Sequence, residues 1–158
     1  MNTCGYCGIE VHVKKNGLAY CTFCEMDLFK EDIQENGQRK WLKINTNVLL
    51  SDAKQSTSAL MEKDSYFLIS LLRLVRAERK QVYNLMRLVN RGNRLQGGFE
   101  ASLSDVKADY QFWKRKAYVL ENILREQSCV FPVRITDQLL STMLDQIEQD
   151  KHKTMDSD

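Results

Sequence analysis

A single proline and only seven glycines are spread over 158 residues. With so few enforced breaks, a largely helical fold is expected. Histidine is scarcer still, with His12 and His152 the only two, and neither stands beside a nucleophile or a carboxylate pair. General acid–base and nucleophilic catalysis both need such clusters, so an enzyme is not expected. No apolar run approaches the roughly 20 residues that a membrane-spanning helix requires, and no charged leader precedes a hydrophobic stretch at the start. The segment Arg91-Gly92-Asn93-Arg94-Leu95-Gln96-Gly97-Gly98 is glycine-rich. It has neither the preceding strand nor the Lys-Ser/Thr pair of a phosphate-binding loop, which argues against a nucleotide site.

What is present begins with cysteine. Cys4, Cys7, Cys21 and Cys24 stand as two C-x2-C pairs separated by 13 residues, the ligand spacing of a structural zinc site. Two thiolates three residues apart reach one tetrahedral ion from a single tight turn, and the gap allows a hairpin to bring the second turn back. Asn16-Gly17 is a strong signal for that hairpin turn. Val11-His12-Val13 and Leu18-Ala19-Tyr20 would be its arms. Residues Glu25 to Ile33 then read as a short helix that buries Met26, Phe29 and Ile33. Four sulfurs close the shell, so one Zn2+ ion would be structural and His12 is not needed as a ligand. Over residues 4–35 this pattern resembles the treble-clef and zinc-ribbon modules. The resemblance implies a zinc-held fold, and such modules serve DNA, RNA and protein binding alike.

Thiolate ligands with one odd cysteine, Cys129, point to a reducing compartment and hence to a cytoplasmic protein. Cys129 lies beside Val130 and Phe131, where a buried packing thiol is expected.

The net charge of +2 is unevenly placed. Residues 65–98 hold seven Lys/Arg against one Asp/Glu, whereas residues 129–158 hold three against six. The basic stretch is also the first long helical pattern, running from Asp64 or Ser65 to about Arg91. One of its two apolar stripes contains Phe67, Leu71, Leu74, Leu85 and Leu88; the other contains Leu68, Leu72, Val75, Val82, Met86 and Val89. Together they form a broad buried face, interrupted at Arg76–Gln81. On the opposite side Arg73, Arg76, Lys80, Arg87, Arg91 and Arg94 recur at helical spacing. A merely solvated face usually mixes Glu with its cations, and only Glu78 does so in this helix. The excess of arginine suits bidentate contact with phosphate or carboxylate.

The second long pattern is an unbroken heptad seam: Phe99, Leu103, Val106, Tyr110, Trp113, Ala117, Leu120 and Leu124. Such a seam needs a helical partner. The preceding helix, folded back as an antiparallel hairpin, is the nearest. Ser102 or Ser104 would cap it, and Trp113 would pack in the core near the polar break. Pro132 ends it, and Thr136 caps a third helix, Asp137 to about Gln149, expected to complete a three-helix core.

The expected protein is therefore mainly α: a small zinc-bound β-hairpin module, a long antiparallel helical hairpin and a third C-terminal helix. Its expected divisions are a zinc module at 1–40, a connecting arm at 41–63, a helical domain at 64–149 and a disordered tail at 150–158. That acidic tail is expected to fold onto the basic face and screen it. The function expected is a non-enzymatic regulatory protein that contacts nucleic acid, or the transcription machinery on it, through the basic face. The alternative is an adaptor or antagonist that meets an acidic protein partner. Pairing of two copies through the Trp113 seam would make it a helical homodimer.

Overall fold

The computed structural model describes residues 1–155. The chain forms two compact units, one of Met1–Lys43 together with the chain from Ser141 onward, the other of Ile44–Leu140. No helix among the described residues is long and apolar enough to cross a membrane.

The first unit is built from four three-residue strands, β1 (Asn2–Cys4), β2 (Ala19–Cys21), β3 (Met26–Leu28) and β4 (Ile33–Glu35). They form two antiparallel pairs. In one, β1 lies against β4 with Cys4 opposite Ile33; in the other, β2 lies against β3 with Cys21 opposite Met26. Cys4, Val11, Ala19, Cys21 and Leu28 are its buried apolar residues.

Two expectations are corrected in this unit. The Asn16-Gly17 turn is present, with Gly17 at φ 78° and its amide donating to the Lys14 carbonyl at 2.9 Å. It joins no strand ladder, because the Val11 amide bonds the Asn2 carbonyl while Ala19–Cys21 pairs with β3. The helix expected over Glu25–Ile33 is replaced by β3, a 3-10 turn at Lys30–Asp32 and β4. Met26 and Phe29 are accordingly exposed, and Leu28 is buried in their place. A helix this short is marginal alone, whereas the strand pairings satisfy the same backbone groups and bury Leu28. Without that helix, the treble-clef half of the resemblance is not met.

The chain returns to this unit after the helices. Thr154 bridges Gln38, and the Met155 amide donates to the Gly37 carbonyl at 2.7 Å. The stretch expected to be a disordered tail from 150 is therefore tied down as far as Met155, within the first unit. Residues 156–158, the remainder of that stretch, lie outside the described residues.

In the second unit α1 (Thr57–Met61) precedes two long helices, α2 (Ser65–Gln96) and α3 (Glu100–Ser128). The Asp64 side chain caps α2 by accepting from the Phe67 amide at 2.8 Å. Gly97 and Gly98, at φ 69° and 82°, turn the chain in a conformation that residues with a Cβ avoid. The turn is tighter than the glycine spacing suggests, because Gly92 stays helical and α2 runs on to Gln96. Neither Ser102 nor Ser104 caps α3, which starts at Glu100; the Asn93 side chain instead accepts from the Phe99 amide.

The heptad seam meets the first helix as expected. Trp113, Ala117, Leu120 and Leu124 pack with Leu68, Leu71, Leu72 and Val75 in one core, each large apolar residue contributing about 1.5–3 kcal/mol. Leu60 of α1 and Ala53 of the 3-10 turn Leu50–Lys54 are wholly buried in that same core. The stretch that reads as a polar linker thus supplies a covering layer.

Helix α4 (Asp137–Asp150) begins as expected, with the Leu139 amide donating to the Thr136 hydroxyl at 3.2 Å. It has no buried residue, and among the described residues the core around α2 and α3 takes in Phe131 and Ile135 but no residue of α4, contrary to the expected three-helix core. Cys129 is also exposed. It takes the left-handed conformation that ends α3, φ 66°, with its amide on the Arg125 carbonyl, so its side chain is directed by the cap and not by packing.

Candidate metal centre and basic helix face

Each C-x2-C pair closes the end of a strand. Cys4 ends β1 and Cys21 ends β2, so sheet pairing fixes one sulfur of each pair while a tight turn delivers the other. In the first turn the Gly8 amide returns to the Cys4 carbonyl at 2.8 Å and Gly8 takes φ 78°. In the second, the Cys24 amide donates to the Cys21 sulfur at 3.4 Å, and Glu25 occupies the equivalent left-handed position at φ 53°. The two turns are alike in geometry although only one carries a glycine.

The four sulfurs lie within 4.8 Å of one another. Cys4 and Cys24 approach to 3.9 Å, Cys7 and Cys21 to 3.5 Å. Tetrahedral bonds of about 2.3 Å place sulfurs about 3.8 Å apart, whereas a disulfide needs about 2.05 Å. The cluster therefore has the dimensions of a metal shell and not of a cystine.

Its acid–base state is uneven. Burial opposes ionisation of Cys21, yet the Cys24 amide and the neighbouring thiols outweigh it and bring its pKa down to about 7. Cys24 is pushed up to about 12, first by its contact with Cys7 and then by burial; burial also raises Cys7. Cys21 is thus the more readily ionised while Cys7 and Cys24 hold their protons, and a cation that binds them displaces those protons. An ion held by all four sulfurs would have no position left for water or substrate, the arrangement of a structural site. His12 is exposed and outside the cluster.

A second group of residues braces this centre. Buried Asp32 receives Lys40 Nζ and the Tyr6 hydroxyl on one oxygen and the Phe29 amide on the other. Lys40 Nζ also donates to the Tyr6 hydroxyl at 2.8 Å. The hydrogen bond from Lys40 holds the Asp32 carboxyl below its ordinary range, and the same bond raises Lys40. Backbone bonds from Gly5 to the Asp32 carbonyl and from Lys40 to the Gly5 carbonyl complete the brace. A Cβ on Gly5 would lie 2.9 Å from the Asp32 carbonyl, so the close approach requires glycine there. The sequence gives little sign of this group, since Tyr6, Asp32 and Lys40 are far apart and of common type.

Comparison with protein families, curated proteins and solved structures found no match.

The basic face of α2 divides into two parts. Arg73 pairs with Asp137. Arg76 is largely buried: its guanidinium pairs with Glu121 at 2.8 Å, donates to the Pro132 and Val133 carbonyls and lies over the Phe131 ring. These two arginines tie α2 to α3 and the segment that follows. Lys80, Arg87, Arg91 and Arg94 are exposed and form no ion pair with any described residue. The last three border a shallow concavity of about 530 Å3 with Asn84, Leu88 and Asn90. A pairing signal was present in Glu121, the one acid between Tyr110 and Arg125. Periodicity alone treats all cations on one face alike.

Trp113 is buried within the hairpin, and the ring that Arg76 covers is Phe131. Beside the exposed cations, Leu85, Leu88 and Leu95 are 49%, 66% and 75% exposed. They continue the stripe that is buried at Phe67 and Leu71, beyond the point where Ala53 and Leu60 cover it.

Proposed function

We propose that this chain is a non-enzymatic, zinc-stabilised binding protein that docks a polyanionic partner, nucleic acid or an acidic protein, on the distal part of α2. Lys80, Arg87, Arg91 and Arg94 carry the reading: four cations along one helix, none in an ion pair with a described residue, with no acid after Glu78 in the helix. Arg73 and Arg76 are assigned a structural role, which reduces the footprint expected from sequence. The four-thiolate centre supports zinc as a fold-holding ion.

Metal identity is tested by elemental analysis of the purified chain, which should give one zinc per chain. A four-thiolate shell also accepts iron, whose visible absorption would refute the zinc assignment. Docking is tested by titrating duplex DNA, single-stranded DNA, RNA and heparin across a salt series. Four contacts to duplex phosphate predict an affinity falling by about a hundredfold between 50 and 200 mM salt. Reversal of Lys80, Arg87 and Arg91 to Glu should abolish that binding. Absence of low-salt binding to nucleic acid, to heparin and to an acidic peptide alike would refute the reading.

A further inference from the structure

We infer that the occupant of distal α2 is an acidic amphipathic helix of a partner protein, an inference that rests on the docking reading above. Leu85, Leu88 and Leu95 stand at intervals of three and seven residues, with the small Gly92 between the last two. On a helix these positions form one continuous stripe at heptad spacing. All three leucines are substantially exposed, 49%, 66% and 75%. Lys80, Arg87, Arg91 and Arg94 flank this stripe, and Leu88 lines the same concavity as Arg87, Arg91 and Arg94.

The combination selects among occupants. Phosphates would satisfy the arginines but leave the leucines in water. A second copy laid along the stripe would bring its own Lys80, Arg87, Arg91 and Arg94 near these, and like charges oppose such pairing. A helix with apolar residues at heptad spacing and Glu or Asp beside them covers the leucines and pairs with the cations together, the helix-in-groove mode of recognition. Arginine is also one of the residues in which binding hot spots concentrate.

The test uses the full, zinc-loaded chain. The probe is a labelled synthetic helix of about three heptads with Leu at a and d and Glu at e and g, read by fluorescence anisotropy; a version with Lys at e and g is the control. The Glu peptide should bind and the Lys peptide should not. Replacing Leu85, Leu88 and Leu95 with Ser should weaken binding by about tenfold or more, with the circular dichroism spectrum unchanged. Failure of the Glu peptide to bind, or binding indifferent to the serine substitutions, overturns the inference. Should nucleic acid or heparin still bind through Lys80, Arg87 and Arg91, only the helical occupant is refuted; should neither bind, the docking reading falls with it. Sedimentation of the chain alone should give a monomer. A dimer abolished by the serine substitutions would put a second copy on the stripe and refute the partner helix.

Discussion

Arg76 is the residue for which sequence and structure give opposite assignments, and its replacement decides between them. Its side chain is 19% exposed and that of Glu121 16%, so the pair is mostly withdrawn from water. Breaking a buried pair by removing one partner costs about 3–5 kcal/mol, because the other charge stays buried and uncompensated. Arg76→Ala also leaves the Pro132 and Val133 carbonyls without their donor, a loss of about 0.5–1.5 kcal/mol for each ordinary hydrogen bond. Partial solvation of Glu121 offsets some of this, so we expect a loss of about 3 kcal/mol. The assay is urea denaturation followed by the helical circular dichroism signal. A cycle with Glu121→Gln should show a coupling of about 1 kcal/mol or more between the two residues. Arg76→Lys should recover only part of the stability, because a single ammonium cannot reach Glu121 and both carbonyls as the planar fork does. A loss below about 1 kcal/mol, or strict additivity with Glu121→Gln, would refute the structural assignment and return Arg76 to the exposed basic face.

Thiol counting should report the metal centre directly: in the zinc-loaded chain only exposed Cys129 should react quickly with iodoacetamide, and chelation should expose the other four while the helical signal of α2 and α3 persists. Protection of the four after complete metal removal would refute the assignment. The Asp32–Lys40 pair should make the first unit pH-dependent in a defined window. Because folding lowers the Asp32 pKa, its contribution is present above the unfolded value of about 3.9 and is lost as pH falls through the folded one. Because folding raises Lys40, the contribution from that side is present below about 10.4 and is lost as pH rises through the folded value. Asp32→Asn should remove both dependences, as followed by amide exchange of Gly5 across pH; an unchanged profile would count against the pair. Trp113→Ala should destabilise the hairpin by about 3–5 kcal/mol through a core cavity, measured by urea denaturation, without changing the sedimenting mass. A dimer-to-monomer change instead would restore the seam to an interface.

Legibility in the sequence followed the range of the forces involved. The clustering of Cys4, Cys7, Cys21 and Cys24 was legible because thiolate ligand chemistry dictates such spacing. The α2–α3 hairpin was legible because a heptad seam repeats one instruction eight times, from Phe99 to Leu124. Residues 25–35 were misread because a helical pattern of nine residues is too short to outweigh strand pairing set by the cysteine turns. Glu25 offered no sign of its left-handed conformation, since its position is imposed by closure around Cys21 and Cys24 and not by its own preference. Ala53 and Leu60 escaped notice because a polar neighbourhood hides single residues that contact a distant core. Arg76 and Arg73 escaped because a periodic face shows direction, whereas Glu121 reaches Arg76 only after the chain has turned once and Asp137 reaches Arg73 only after it has turned twice.

The contacts of Thr154 with Gln38 and of Met155 with Gly37 have a consequence for how the protein is made. Both cysteine turns leave the ribosome long before the residues that meet Gln38 and Gly37, because the whole helical unit is synthesised in between. Domains that fold during synthesis usually do so from the amino terminus forward. Here the four thiols can take up their ion early, while the unit that carries them waits for its final strand contact across a long chain separation, a contact of the kind that slows folding. Nascent chains released before residue 154 would therefore carry a metal-loaded but incompletely closed first unit, whereas the helical hairpin, whose contacts are all encoded by then, would already be whole.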